Sequence, residues 1–426
     1  MQKEALIISC LQRDGNAGTL VDHVNAFMNY SRYSFDHFSV NLEFNGVEGS
    51  LPKKIFKNEY KIIVLHYSLF GGTPFKITKK LIDYIKQSSS IKIAYFQDEY
   101  QAPKEKYKLI NDLGVKLIFS LVKEKDFKRT YYHYTNCQKV IYEIPGYVSK
   151  DLVRSSKKYS KPFNERKIDF AHRARSHNFI FGKKSNLKSI IGEKFLEHNL
   201  DNYNLDISSK ESDRIYGDDW LKFLGNTKCI LGAESGVSIY DIDGSIKKEH
   251  EEYLKKGGDE SKLYQNVYEK HEDNLNYSMI PPRVFEAAAF RCLQVLYPGY
   301  YSGVIKPGIH YFELKEDHSN LDDLLKLLKT QEKVNRIIDN AYHDLISSKK
   351  YSYAAMVEKF DFELASIGIQ PKQQKLDKIS YPQTFDYFVI PFKTFFLGIF
   401  YNIIFTLKRN KKLYQSLKSI KKRLGF

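Results

Sequence analysis

Short apolar runs of strand length alternate with amphipathic stretches from the first residues of this chain. Such runs stand at 5–11, 38–44, 61–66, 91–96, 115–122 and 139–144, and helical patterns lie between several of them, at 19–30, 77–87 and 104–113. Strands that are apolar almost throughout, alternating with helices, predict a parallel sheet covered on both faces. The polar, proline-bearing segment KPFNERK at 161–167 reads as a linker. A second series then begins, with strands at 168–171, 203–207 and 228–232 and helices at 187–197 and 218–224. A charged stretch at 245–276 reads as a solvated helical excursion. After it come a helix opening at Pro282, a strand at 293–297, an apolar run at 310–314, and helices at 320–328 and 334–347. The pattern predicts an α/β protein with two successive series of alternating strands and helices. Ligands would bind at the carboxyl ends of the strands.

The densest local chemistry lies at 277–294, YSMIPPRVFEAAAFRCLQ. Proline suits a helix start, where its missing N–H has no partner to lose. The helix should therefore open at Pro282, with Arg283 and Glu286 in its first turns. Free N–H groups and the dipole at a helix start favour an anion. A glutamate beside them can accept two hydrogen bonds from a vicinal diol such as a ribose. Phosphate plus ribose reads as a nucleotide.

Other strand ends offer further candidates. The first strand runs into QRDGNAGTL, where Gly15 and Gly18 permit a tight loop and Thr19 can cap the next helix. His66 ends the third run and Asp98 follows the fourth. The second series opens with IDFAHRARSHNFIFGKKS, placing Arg173, Arg175, Lys183 and Lys184 after a strand. Fixed positive charge there favours an anion. GAESG after the strand at 228–232 points Glu234 and Ser235 at the same place. Asp241 and Asp243 in YDIDG read as helix caps rather than metal ligands.

The segment Arg283, Phe285, Glu286, Ala287, Ala288 resembles the R-x-F-E-A-A signature of GT-B glycosyltransferases, in the group-1 and spore-maturation-like branch. The series DRIYG–W–FL–LG–ESG–S–DxDG, continuing to Tyr301–Gly303 and His310–Tyr311, resembles a subset of bacterial surface-polysaccharide glycosyltransferases over 168–328. The resemblance implies a GT-B fold, two Rossmann-like domains facing across a cleft, and a nucleotide-sugar donor, with Glu286 on its ribose and the 173–184 cations around its pyrophosphate. It also implies an enzyme that needs no metal or other cofactor. Retaining members carry a second glutamate eight positions earlier, where this chain has Ser278, so the stereochemical outcome stays open. His66 or Asp98 is expected on the acceptor side, and Glu234 near the sugar.

Composition is that of a folded protein, with 42% hydrophobic and 28% charged residues. The net charge is +16, and +10 of it falls in the last 61 residues. Basic residues concentrated this way do not describe a nucleic-acid groove. The four cysteines, Cys10, Cys137, Cys229 and Cys292, form no C-x-x-C pair and read as free thiols in a reducing cytoplasm. The start of the chain has too short an apolar core for a signal peptide. Residues 385–407 are strongly apolar and aromatic, and 408–426 carry eight basic residues and no acid. Asp386, Pro391, Lys393 and Asn402 make that run a poor membrane span, and an interfacial helix with a polybasic patch fits better.

These features predict an N-terminal acceptor domain at 1–160, a donor domain at 167–365 and a helical tail at 366–426. The expected activity is sugar transfer from a nucleotide sugar to a lipid-linked surface glycan at the cytoplasmic membrane face. The tail at 385–426 would bind an anionic membrane surface; the alternative is that part of it crosses back and packs on the first domain, as the last helices of GT-B proteins do. Two other functions compete: a catalytically silent protein of this fold that binds glycan or partners, and a sugar-nucleotide epimerase.

Overall fold

The computed structural model describes residues 3–11, 17–40, 57–175 and 179–371. Six parallel strands form the first sheet: β1 (Ala5–Ser9), β2 (Phe35–Ser39), β3 (Ile62–Leu65), β4 (Ile91–Tyr95), β5 (Val115–Ser120) and β6 (Lys139–Tyr142). Their spatial order is β2-β1-β3-β4-β5-β6. Every residue of β1 and β3 is buried, which is why these segments read as unbroken apolar runs. The connecting helices include α1 (Gly18–Tyr30), α2 (Lys79–Gln87), α3 (Pro103–Leu113) and α4 (Lys150–Tyr159). Their ends follow local rules. Thr78 and Ser149 cap α2 and α4 through side-chain oxygens, Pro103 opens α3, and Gly114 closes it in the left-handed region. Thr19 does not cap α1. The helix already begins at Gly18, with Ala17 at the capping position and no side-chain cap.

The second sheet repeats the plan with five parallel strands. These are β7 (Ile168–Arg173), β8 (Leu205–Ser208), β9 (Thr227–Gly232), β12 (Leu293–Leu296) and β13 (Phe312–Glu313), in the order β13-β12-β9-β7-β8. Between β9 and β12 a short antiparallel pair, β10 (Ser235–Val237) and β11 (Tyr277–Met279), leaves the sheet. Gly236 is required there. At φ +136° its Cβ position lies 1.9 Å from the Tyr277 carbonyl oxygen, so no side chain fits. The helices of this half are α5 (Leu187–Leu196), α6 (Gly217–Gly225), α7 (Ser245–Lys255), α8 (Arg283–Ala289), α9 (Leu321–Leu328) and α10 (Gln331–Tyr342). The charged excursion is more than a solvated helix. Ile246, Leu263, Val267 and Tyr268 close a small core of their own with Ile239.

One further helix, α11 (Tyr353–Ser366), returns to the first half. Its Tyr353, Met356, Val357, Phe360 and Leu364 pack under the first sheet beside Ile7, Phe27 and Val64. Asp361 accepts hydrogen bonds from the Ser31 hydroxyl and the Arg32 N–H, both at 2.7 Å. Two Rossmann-like sheets of like strand order, with α11 crossing back, make the GT-B architecture.

The halves also meet at a buried carboxylate. Glu99, 1% exposed, accepts from Tyr131 at 2.7 Å and Tyr277 at 2.6 Å, and also from the Ser120 hydroxyl and the Leu121 N–H. Tyr277 belongs to β11 of the second half. Tyr277→Phe removes one bond to this carboxyl and should cost about 1.5–3 kcal/mol, read as a lower midpoint in urea denaturation. A second buried acid, Glu143, is pushed up to about 7 by burial, opposed by Lys359 at 3.8 Å. A raised carboxyl stabilises the fold fully below its unfolded pKa and loses that stabilisation as pH rises through about 7. Relative to Glu143→Gln, the native chain should therefore lose about 3 kcal/mol of stability between pH 4 and 8. Denaturation curves across that range check the sign.

Candidate active site in the cleft

The strand order reverses between β1 and β3 in one half and between β7 and β9 in the other, so the loops after these strands border a crevice. In the second half, α8 begins at Arg283, with Pro282 already helical just before it. Glu286 is half-buried and accepts a hydrogen bond from the Trp220 indole N–H at 2.9 Å. Burial raises its pKa, while the indole and the nearby Arg283 oppose the rise. The Arg283 guanidinium lies 4.9 Å from the Trp220 ring centre and donates to the Arg173 carbonyl. Trp220, Arg283 and Glu286 therefore fix one another. With only seven residues, α8 offers a modest dipole, so fixed cations must carry most of any anion binding.

Those cations are not all the ones the sequence suggested. Arg173 is 12% exposed and turned away, bonded to Asp206 at 2.6 Å and to the backbone carbonyls of His172, Asp206 and Asp213. It braces the end of β7 rather than a ligand. Lys183 and Lys184 face the excursion, paired with Glu269 at 3.5 Å and Asp273 at 2.5 Å. Carboxylates already neutralise both. Arg175 is exposed and within electrostatic reach of Tyr100 of the first half.

The lysine that enters the crevice is Lys188, in the first turn of α5, which sequence reading passed over. Its ammonium donates to the Ser235 hydroxyl and lies within electrostatic reach of Arg283 and of Asp98 from the first half. Burial, reinforced by Arg283, lowers its pKa to about 8. Its helical position looked like one more surface lysine on α5. Only the approach of β10 shows otherwise.

Glu234 is held in place by the Tyr301 N–H at 2.5 Å. That N–H is presented by a left-handed turn, with Tyr301 at φ 47° and Ser302 at φ 56°. Non-glycine residues adopt such values at a cost, and they cluster at functional sites. Ser278, 5% exposed, bonds Asn276 at 2.8 Å and receives the Lys123 ammonium at 3.3 Å. His310 bonds Asp344 at 3.0 Å, so the His310–Tyr311 motif is a structural joint. Asp241 and Asp243 accept backbone N–H bonds at the start of α7, as helix caps. Among the described residues no group of three or more His, Cys, Asp or Glu could hold a metal ion.

On the first half, Asp98 is exposed at the end of β4, at φ 49°. His66 is not available to a substrate. It is fully buried, its Nδ1 meets the Ser68 hydroxyl at 2.8 Å, and its ring sits 4.9 Å from His23 and 4.0 Å from Tyr67. Burial, with His23 and His37 nearby, holds it neutral, well below the ordinary histidine range. The structure thus moves His66 from acceptor-side base to core. A carboxyl the sequence did not flag, Asp22 of α1, is half-buried and within electrostatic reach of Glu286. Burial first, then Asp151 and Glu286, raise it to about 6. Gly18 and Thr19 lie in the first turn of α1, with the Thr19 carbonyl accepting from Tyr353 at 3.1 Å. Gly15 and the tail at 372–426 lie outside the described residues.

No protein-family model matches this chain, and no curated protein sequence matches it. Solved structures do resemble it. A glycosyltransferase from Rickettsia africae is 12% identical, with a TM-score of 0.49, over 86% of this chain and 100% of that one. Anabaena HepE in complex with UDP-glucose is 10% identical, with a TM-score of 0.45, over 86% and 100%. An alpha-glucosyltransferase in complex with UDP-glucose and DNA is 12% identical, with a TM-score of 0.46, over 85% and 99%. At these identities and scores the fold assignment stands on strand order and the crossing helix.

If Lys188 carries anion binding, its contribution must fall as its proton leaves. Pyrophosphate should bind about tenfold more weakly at pH 9 than at pH 7, and Lys188→Arg should flatten that profile. Isothermal titration across the range gives the answer. A flat profile in the native chain would remove Lys188 from the site.

Proposed function

We propose that this chain is a GT-B glycosyltransferase that takes a sugar from a nucleotide sugar. The observation that carries the reading is the fixed Trp220–Arg283–Glu286 group beside Lys188 and Ser235, at the carboxyl ends of the second sheet. Glu286 takes the ribose diol. Lys188, Arg283 and Arg175 hold the diphosphate and stabilise the charge that develops on its oxygens as the glycosidic bond breaks. Glu234 and Ser278 face the sugar. Asp98 and Asp22 come from the opposite half and stand on the acceptor side, where a carboxylate can receive the acceptor hydroxyl proton. No metal is needed where fixed cations do this work.

The acceptor we propose is a lipid-linked surface glycan, reached from the cytoplasmic face of the membrane. The support is the apolar and polybasic composition of 385–426, which suits an anionic bilayer surface. No helix among the described residues is long and apolar enough to cross a membrane.

Trp220 is the single tryptophan of the chain, so its emission reports directly on the Glu286 site. Titration with UDP, GDP, ADP and CDP should change that emission with one preferred base. Glu286→Ala should weaken the preferred ligand about ten- to hundredfold. No response to any of the four, confirmed by calorimetry, would end the donor assignment. Removal of residues 384–426 should release the protein from anionic liposomes with nucleotide affinity intact. Loss of that affinity on truncation would instead make the tail part of the enzyme core.

A further inference from the structure

The loop after β5 brings Lys123 across to the second half, where its ammonium lies 3.3 Å from the Ser278 hydroxyl and 5.5 Å from the centre of the Tyr300 ring. Lys123 is half-buried, and among the described residues no carboxylate comes within ion-pair distance of it. Glu234 and Asp126 are near enough to be felt but make no ion pair with it; Glu234 accepts from the Tyr301 N–H and Asp126 pairs with Arg129 at 2.8 Å. Tyr300 is 65% exposed, an aromatic face left in water at a strand end. Beside it, Tyr142 donates to the Ser302 hydroxyl at 2.9 Å. Together these groups offer an apolar face, hydroxyls and an ammonium with no carboxylate in ion-pair contact.

We propose that Lys123, Ser278 and Tyr300 form a subsite for an acidic sugar, a pyranose carrying a carboxylate; this rests on the sugar-transfer reading. The C–H face of the ring packs on Tyr300, and the carboxylate takes the charge-assisted hydrogen bond that a neutral sugar cannot supply. A half-buried ammonium bonded only to a neutral hydroxyl is costly, and an anionic ligand relieves that cost. The acid belongs either to the transferred sugar or to a sugar of the acceptor.

Calorimetry on the full chain separates the two sources. One arm compares UDP-glucuronate with UDP-glucose and GDP-mannuronate with GDP-mannose. The other uses an oligoglucuronate against a neutral oligoglucoside of equal length. An acidic donor sugar predicts at least about tenfold tighter binding of one uronate nucleotide over its neutral partner. Lys123→Gln should erase that preference, and Lys123→Arg should keep part of it. An acidic acceptor predicts the same Lys123-dependent preference in the oligosaccharide arm alone. Nucleotide binding without an acid preference in either arm overturns the subsite while leaving the donor reading standing. If no nucleotide binds, the donor reading falls and the oligosaccharide arm alone decides the subsite.

Discussion

Much of this molecule depends on keeping one carboxylate out of water. Glu99 is a charge-bearing group in the core, and an unpaired buried carboxylate would be intolerable. Its oxygens instead accept from Ser120, Leu121, Tyr131 and Tyr277. The Tyr277 phenol both donates to the carboxyl and accepts the Glu99 N–H at 3.2 Å. Because Tyr277 lies in β11, this pairing fixes the strand that carries Ser278 and leads within a few residues to α8. Asp98, next to Glu99, is set at the cleft by the same anchor. The carbonyl of Asp98 also receives the buried Lys106 ammonium at 2.9 Å. A structural knot thus determines where two functional segments from different halves come to rest.

The second constraint is the crossing of α11. Its apolar face completes the core beneath the first sheet, so chain that follows the second half stabilises the first. The Tyr353 hydroxyl donates to the Thr19 carbonyl, tying that helix to the start of α1. α1 carries Asp22, whose pKa is raised partly by Glu286 on the other half. Two acids left to repel each other across a crevice make sense where a polar ligand is meant to lie between them. Both halves bring charge of both signs to the crevice: Lys188, Arg283, Glu234 and Glu286 from the second, Lys123, Asp22 and Asp98 from the first.

The repeating strand–helix order and the two-sheet plan are legible along the chain, since a strand buried on both faces must be apolar throughout. The sequence located Pro282, Arg283 and Glu286 at a helix start, Glu234 and Ser235 after a strand, and Asp98 in a loop, because these depend on local rules of helix entry and strand exit. It could not assign the cations. Arg173, Lys183, Lys184 and Lys188 are all basic residues near one strand end, and their roles differ only by which carboxylates surround them. Asp206, Glu269 and Asp273 neutralise three, and those partners lie far off in sequence. His66 was misjudged for a related reason: the end of a strand can open onto a cleft or onto a core, and the packing of His23 and Tyr67 closed it in. Lys188, Asp22 and Lys123 became visible only when strands and helices distant in the chain were brought together. Local pattern sets the elements; long-range contact decides which polar side chains remain free to act.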